Sequence, residues 1–250
     1  MNNLVTDMSK IRRHQIGLDA DIEISQVVAQ TDLVTEDDTE TLKGIQQFET
    51  FVATLEQDKF DLDVDDQASI IEFDVQSTDI QWRTTLTHEF RLTFPSANAR
   101  RYFFNAGGRI FLNPSLDTSS PDAKSQTWAT MLDAAGTVIF NHSQTTTDAP
   151  LPNATIFTSA IGNYGLTGSY TTVFSKTVGG TYADIDYTVQ VRENSPREID
   201  FICLFRDDSE SGFFTDEFVQ GTTSNIVEGL FAIGPNVSVF PPEYSIISSL

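Results

Sequence analysis

The hydrophobic period of this chain changes once along its length, and that change restricts the fold more than any other feature. From Met1 to about Gln57 the apolar residues recur every three or four positions, as on one face of a helix. From Ile70 onward they alternate with polar residues, and the runs are broken by Gly, Thr, Ser and Pro. The clearest helix begins at Thr35, a suitable N-cap, with Glu36, Asp37 and Asp38 placing negative charge at the positive end of the helix dipole. Leu42, Ile45, Phe48, Val52 and Leu55 then form one apolar stripe. An earlier segment, from about Met8 to Gln30, is interrupted at Gly17-Leu18-Asp19 and reads as two short helices or a helix and a loop. Neither segment buries its stripe alone. They pack on each other, on the β-region or on a neighbouring subunit, and the preferred reading is a docking or oligomerisation arm over residues 1–57.

Residues 58–69 form an acidic linker, and a β-domain is expected over 70–250. Period-two runs appear at Ile71–Val75, Phe90–Phe94, Arg109–Leu112, Thr137–Phe140, Tyr170–Phe174, Tyr187–Val191 and Ile199–Phe205, with further strands expected at Ile226–Ile233 and Val237–Phe240. Tyr102-Phe103-Phe104 is read as one more strand, and Asn105, Gly107 and Gly108 as the turn of a hairpin into Arg109. One short helix, Gln126–Leu132, interrupts the series, with Ser125 as its N-cap and Gly136 just beyond its end. Nineteen Phe against two Trp and six Tyr supply buried ring surface, at roughly 150–250 Å² per aromatic. Together these features predict a mainly β protein, a β-sandwich or jelly-roll-like domain preceded by a short helical region.

Residue types that carry chemistry are sparse. The three histidines, at positions 14, 88 and 142, fall in no metal-ligand spacing, and His88 beside Glu89 in a strand points to the opposite face. No G-x-S-x-G elbow is present. Cys203, the single cysteine, lies in the strand-like run Ile199–Phe205 and reads as an inert core thiol. A glycosidase needs only two carboxylates, so this class stays open, although no enzyme is expected. Asp61, Asp63, Asp65 and Glu72 occupy positions one, three, five and twelve of an EF-hand-like loop, but Asp66 stands where the sharp turn wants Gly. A solvated linker is preferred there to a calcium site, and no cofactor is expected. Asp207, Asp208, Glu210, Asp216 and Glu217 make a second acidic cluster on an expected loop. Within it, Phe213 and Phe214 are costly to leave in water, and burial against a neighbouring chain is the preferred reading.

Thirty-six acidic and fifteen basic residues give a formal charge of -21. Such a chain is repelled by nucleic acid and by anionic membrane, so neither is an expected partner. Lys10, Arg12 and Arg13 are followed by no apolar segment, and no secretory leader is expected.

The run Leu92–Ile110, and above all Phe103-Phe104-Asn105-Ala106-Gly107-Gly108, resembles a block in virion structural proteins of T4-like and marine or cyanobacterial contractile-tail bacteriophages. The similarity extends over about residues 70–250. It takes in Trp82-Arg83, Thr87–Phe90, Trp128, Leu132, Gly136–Phe140, Phe205–Asp208 and Val237–Ser245 in the same order. The resemblance implies a non-enzymatic structural subunit of a virion, in the tail, neck, baseplate or fibre, working through contacts with copies of itself and other virion proteins. The alternative is a receptor- or glycan-binding adhesin module of a tail fibre, which would display several Trp or Tyr residues on loops. Deletion of residues 1–57 is expected to leave a folded β-domain that no longer assembles. A truncated chain that still entered particles normally would break this division of labour.

Overall fold

In the computed structural model, residues 8, 11–12, 45–58, 71–179, 182, 184–207, 218–234 and 238–249 are described, residues 45–48 and 249 by their backbone alone. Among the described residues, helix α1, Ile45–Gln57, precedes a body of eleven strands, two further α-helices and a 3-10 turn at Asn163–Gly165. The strands are β1 Ile71–Thr78, β2 Thr85–Thr93, β3 Arg109–Asp117, β4 Val138–Phe140, β5 Thr145–Thr147, β6 Ile156–Thr158, β7 Thr171–Thr177, β8 Ile185–Ser195, β9 Glu198–Asp207, β10 Thr222–Leu230 and β11 Glu243–Ser249. Helices α2, Ala97–Asn105, and α3, Ala123–Asp133, flank β3.

All pairings are antiparallel. One sheet has the order β1-β10-β3-β4-β5 and the other β11-β2-β9-β8-β7-β6. The chain passes between sheets from β1 to β2 to β3 and again from β9 to β10 to β11. β1 therefore returns to pair with β10 and β2 with β9, the nested closure of a jelly-roll-like wrap. The fold is a mainly β sandwich, as the sequence predicts.

Alternation places the core. Leu86, His88, Phe90 and Leu92 of β2, Ile185, Tyr187, Val189 and Val191 of β8, and Ile199, Phe201, Cys203 and Phe205 of β9 all face inward and are buried. Phe90 stacks on Phe201 at 4.9 Å, and Phe140 of the opposite sheet meets Phe201 edge-on at 5.3 Å. Trp82 and Trp128 pack edge-on at 4.9 Å, both within reach of Phe205.

Tyr102-Phe103-Phe104 is helix, not strand, and the expected hairpin is a helix-to-strand turn. Ser96 caps α2, its Oγ accepting the Ala99 N–H at 3.0 Å, and the Ala and Arg residues that follow favour helix. Seven and eight residues beyond the cap, the helix brings Phe103 and Phe104 both into the core, where they touch Phe94 and each other. The helix ends in a Schellman motif: Gly108 N–H donates to Phe103 O at 2.9 Å, Gly107 N–H to Phe104 O at 3.2 Å, and Gly107 has φ +80°. Asn105 is the last helical residue. Helix α3 is longer than expected, and Asp122 caps it, its Oδ1 accepting the Ser125 N–H at 2.6 Å. β10 begins four residues before the expected strand, and Val237 lies outside the described residues while Ser238 makes an isolated bridge to Ile233 and Val239 N–H donates to Ala232 O at 2.9 Å.

A Cβ on Gly108 would sit 2.5 Å from both the ring and the carbonyl oxygen of Phe103, whereas one on Gly168 meets open space. Gly108→Ala is therefore expected to destabilise the fold by roughly 1–3 kcal/mol, and Gly168→Ala to stay within about 0.5 kcal/mol of the parent. Urea unfolding of the two variants checks this, and equal losses would contradict the close packing of the turn.

Candidate functional site

The two sides of the sandwich differ in how they are closed. On one side the short edge strands β5 and β6 are joined across the sheets. Thr145 and Ser159 exchange both backbone hydrogen bonds, at 2.8 and 3.1 Å, and Thr145 Oγ1 donates to Ile161 O. On the other side β1 and β11 end their sheets side by side. They are linked by Gln76 Nε2, which donates to Ser248 O at 2.9 Å. Among the described residues each of these strands is paired with another strand along one edge alone. Beside those edges stand Ile71, Val75, Ile246 and Ile247, at 39, 37, 51 and 42% exposure. Each strand carries a bulge, at Glu72/Asp74 in β1 and at Ile246/Ser248 in β11.

Inside, a polar group of residues looks at first like a nucleophile with its base. His88 is in register with Cys203 across β2 and β9, and Asn225 Nδ2 donates to Cys203 Sγ at 3.0 Å. The protonation states are the reverse of what such chemistry needs. Burial pushes the Cys203 thiol up to about 12 and the His88 imidazole down to about 4. A neutral imidazole beside a thiol is no ion pair, and a nucleophilic cysteine requires the thiolate. His88 Nε2 meets Thr78 Oγ1 at 3.0 Å, and Trp82 Nε1 donates to Thr223 Oγ1 at 3.0 Å. The Thr78–His88 bond spans the two sheets, while His88 Nδ1 and Asn225 Oδ1 are buried without a hydrogen-bond partner among the described residues. The cysteine is the core thiol that its strand predicts.

The outer face of the six-stranded sheet carries an ionic lattice. Asp200 on β9 is fully buried beneath Arg91 of β2 and Arg192 of β8. Arg91 donates from Nε and Nη2 at 2.6 and 3.0 Å, and Arg192 from Nε and Nη2 at 3.1 and 2.8 Å. Burial alone would raise the Asp200 pKa, but the two guanidinium groups outweigh it and hold the carboxylate below its usual range. The Arg192 guanidinium lies 4.3 Å above the Tyr170 ring, whose hydroxyl donates to Glu89 at 2.7 Å. The lattice ties three strands together and spends its polar groups on one another.

At one end of the sandwich two loops are laced onto α2. Arg100, buried, donates to Asn163 Oδ1 at 2.7 Å and to Ser195 O, and pairs with Glu193. Tyr164 leans on His142 at 4.2 Å and donates its hydroxyl to Asn105 Oδ1. Tyr102 and Tyr164 are exposed, while both Trp residues are buried. The two tyrosines are the aromatic feature that an adhesin would use, without the tryptophans.

The residues singled out in the sequence do not converge. Val52 on α1 is exposed and Leu55 half-buried, and Ile45 and Phe48 lie on the same helix. Met8 is buried, and Arg12 ion-pairs with Asp58 at the end of α1, so the helical leader packs on itself there. Leu42, Phe213, Phe214, Asp61, Asp63 and Asp65 lie outside the described residues, and Glu72 is exposed on β1. Asp207 does not belong to a solvated acidic loop. It ends β9 facing inward, buried against Lys124 of α3, while Asp208, Glu210, Asp216 and Glu217 lie outside the described residues. Among the described residues no three His, Cys, Asp or Glu side chains gather as a metal site, and no helix is long and apolar enough to cross a membrane. β11 escaped the sequence reading, although Tyr244, Ile246 and Ile247 gave a signal behind Pro241-Pro242. The chain matches no protein-family model, no curated protein and no solved structure.

His88 also sets a pH dependence. Its folded pKa of about 4 lies below the ordinary 6.5 that it regains on unfolding. The unfolded chain therefore binds the extra proton first, and stability falls as pH drops from about 6.5 to about 4, by about 1.4 kcal/mol per pH unit at most. His88→Gln is expected to flatten the denaturation midpoint over that window. An unchanged slope in the variant would mean that His88 does not supply it.

Proposed function

We propose that this chain is a structural subunit of a bacteriophage virion, of the tail, neck, baseplate or fibre, which works by assembling and turns over no substrate. The observation that carries the reading is the side of the sandwich where the edge strands β1 and β11 of the two sheets meet, each carrying exposed isoleucine or valine side chains. Unpaired strand edges add a further strand readily, and large apolar side chains beside them gain roughly 25 cal/mol per Å² removed from water. A second copy of the chain, or a neighbouring virion protein, supplies that cover.

Two other features support the reading. The sequence block that resembles contractile-tail virion proteins forms the end of β2, the whole of α2 and the start of β3, so it is part of the core framework. The ionic lattice over Asp200 and the sewn edge at Thr145–Ser159 tie down two further parts of the surface, as suits a building block.

Replacing Val75 and Ile246 together by Lys is expected to leave the β-sheet circular-dichroism spectrum intact and to weaken association at least tenfold, equivalent to about 1.4 kcal/mol. Sedimentation velocity over a concentration series reads the association, and incorporation into purified particles reads the assembly. A parent chain that stayed strictly monomeric and entered no particle would overturn the proposal, as would turnover of a substrate.

A further inference from the structure

Lysine is almost never fully buried, and a helix N-terminus is an unfavourable place for a positive charge. Lys124 is both: it is the second residue of α3 and only 2% exposed. Its ammonium contacts Oδ2 of Asp207, the last residue of β9, whose side chain is fully buried. The surroundings are aromatic. Trp128 stands one turn beyond Lys124 on the same face of α3, and Phe205 stands two residues before Asp207 on the inner face of β9. The two rings lie 6.3 Å apart, with Trp82 within 4.9 Å of Trp128 and 6.5 Å of Phe205.

The frame around the pair is fixed from both sides. Asp207 N–H donates to Thr84 O at 2.6 Å, and Asp207 is in register with Ile185. The residue after Lys124 is held as well, because Ser125 Oγ accepts the Gln220 N–H at 2.9 Å. Neither backbone is free to withdraw its side chain from the contact.

In such surroundings two opposite charges lose their hydration, and condensation to a neutral amide removes both. The amine nitrogen is held against the carboxyl carbon, and held reactants reach effective concentrations of roughly 10⁵–10⁸ M.

We propose that Lys124 and Asp207 condense to an intramolecular isopeptide bond. A bond forms between Lys124 Nζ and Asp207 Cγ, and one Cγ–O bond breaks. The departing oxygen takes two protons from the Lys124 ammonium and leaves as water, so the step needs neither oxidant nor co-reactant. The product is a neutral amide that welds α3 to the end of β9. This inference does not depend on the assembly reading, since it concerns the bonding within one folded chain.

The test is the intact mass of the full-length protein after folding, prolonged incubation and complete denaturation. The parent is expected to be lighter than its sequence by one water molecule, and its digest to contain a branched peptide joining the segments around Lys124 and Asp207. Lys124→Arg and Asp207→Ala are expected at their full sequence masses. Asp207→Asn is the sharper variant, because attack on its amide expels ammonia and ends at the same mass and the same branched peptide as the parent. A parent chain at its full sequence mass would overturn the proposal and leave a buried ion pair. So would a water loss that persists in Lys124→Arg, which would mark dehydration elsewhere in the chain.

Discussion

The packing of aromatic rings between two facing sheets is the interaction on which the other features depend, and it works because one sheet makes room for the other. β2, β8 and β9 turn large side chains inward, whereas β10 turns Thr223, Asn225, Val227 and Gly229. A Cβ on Gly229 would lie 2.3 Å from the Phe73 ring, so the bare backbone of β10 is the floor on which that ring rests. Phe73 in turn stacks on Phe231 at 6.5 Å, and Phe231 meets Phe103 of α2 at 5.8 Å. The small and polar face of one strand thus lets a helix enter between the sheets. Its polar groups remain tolerable because Thr223 and Asn225 bond across to Trp82 and Cys203.

Much of this was legible before any coordinates. Alternation located β1, β2, β3, β7, β8 and β9, and the apolar run Val138–Phe140 located β4. The failures have physical causes. Phe103-Phe104 reads as strand because two adjacent aromatic residues suit a sheet covered on both faces, and Gly107-Gly108 reads as a hairpin because paired glycines also make tight reversals. The signals that decide for helix are the Ser96 cap and the Ala97–Arg101 run, and they are local and weak beside two large rings. β5 and β6 are three residues each, too short for a period to show, and β5 is all threonine.

The surfaces were less legible than the core. Val52 and Leu55 share the stripe expected on α1, yet the structure leaves Val52 in water. The pairing of Lys124 with Asp207 could not be anticipated, since charged residues are ordinarily assigned to solvent and the two come together through the fold alone. The Asp200 lattice was equally hidden, because an aspartate flanked by Ile199 and Phe201 announces a strand but not the two arginines that neighbouring strands bring over it.

An open sandwich side is a hazard as well as a device, and the chain restricts it in two ways. Strand edges that are long, flat and apolar grow without limit, whereas a bulge twists the edge and interrupts its row of hydrogen-bonding groups. Both β1 and β11 are bulged. Charge acts over a longer range. With a formal charge of -21, two copies repel one another until they are close, and salt screens that repulsion over roughly 10 Å at 0.1 M. Under the proposed assembly, association through this face rests on contacts that act at touching distance, namely strand pairing and the burial of Ile71, Val75, Ile246 and Ile247. Long-range repulsion with a short-range apolar seam selects a fitted neighbour over an arbitrary one, because a poor fit pays the repulsion without recovering the seam.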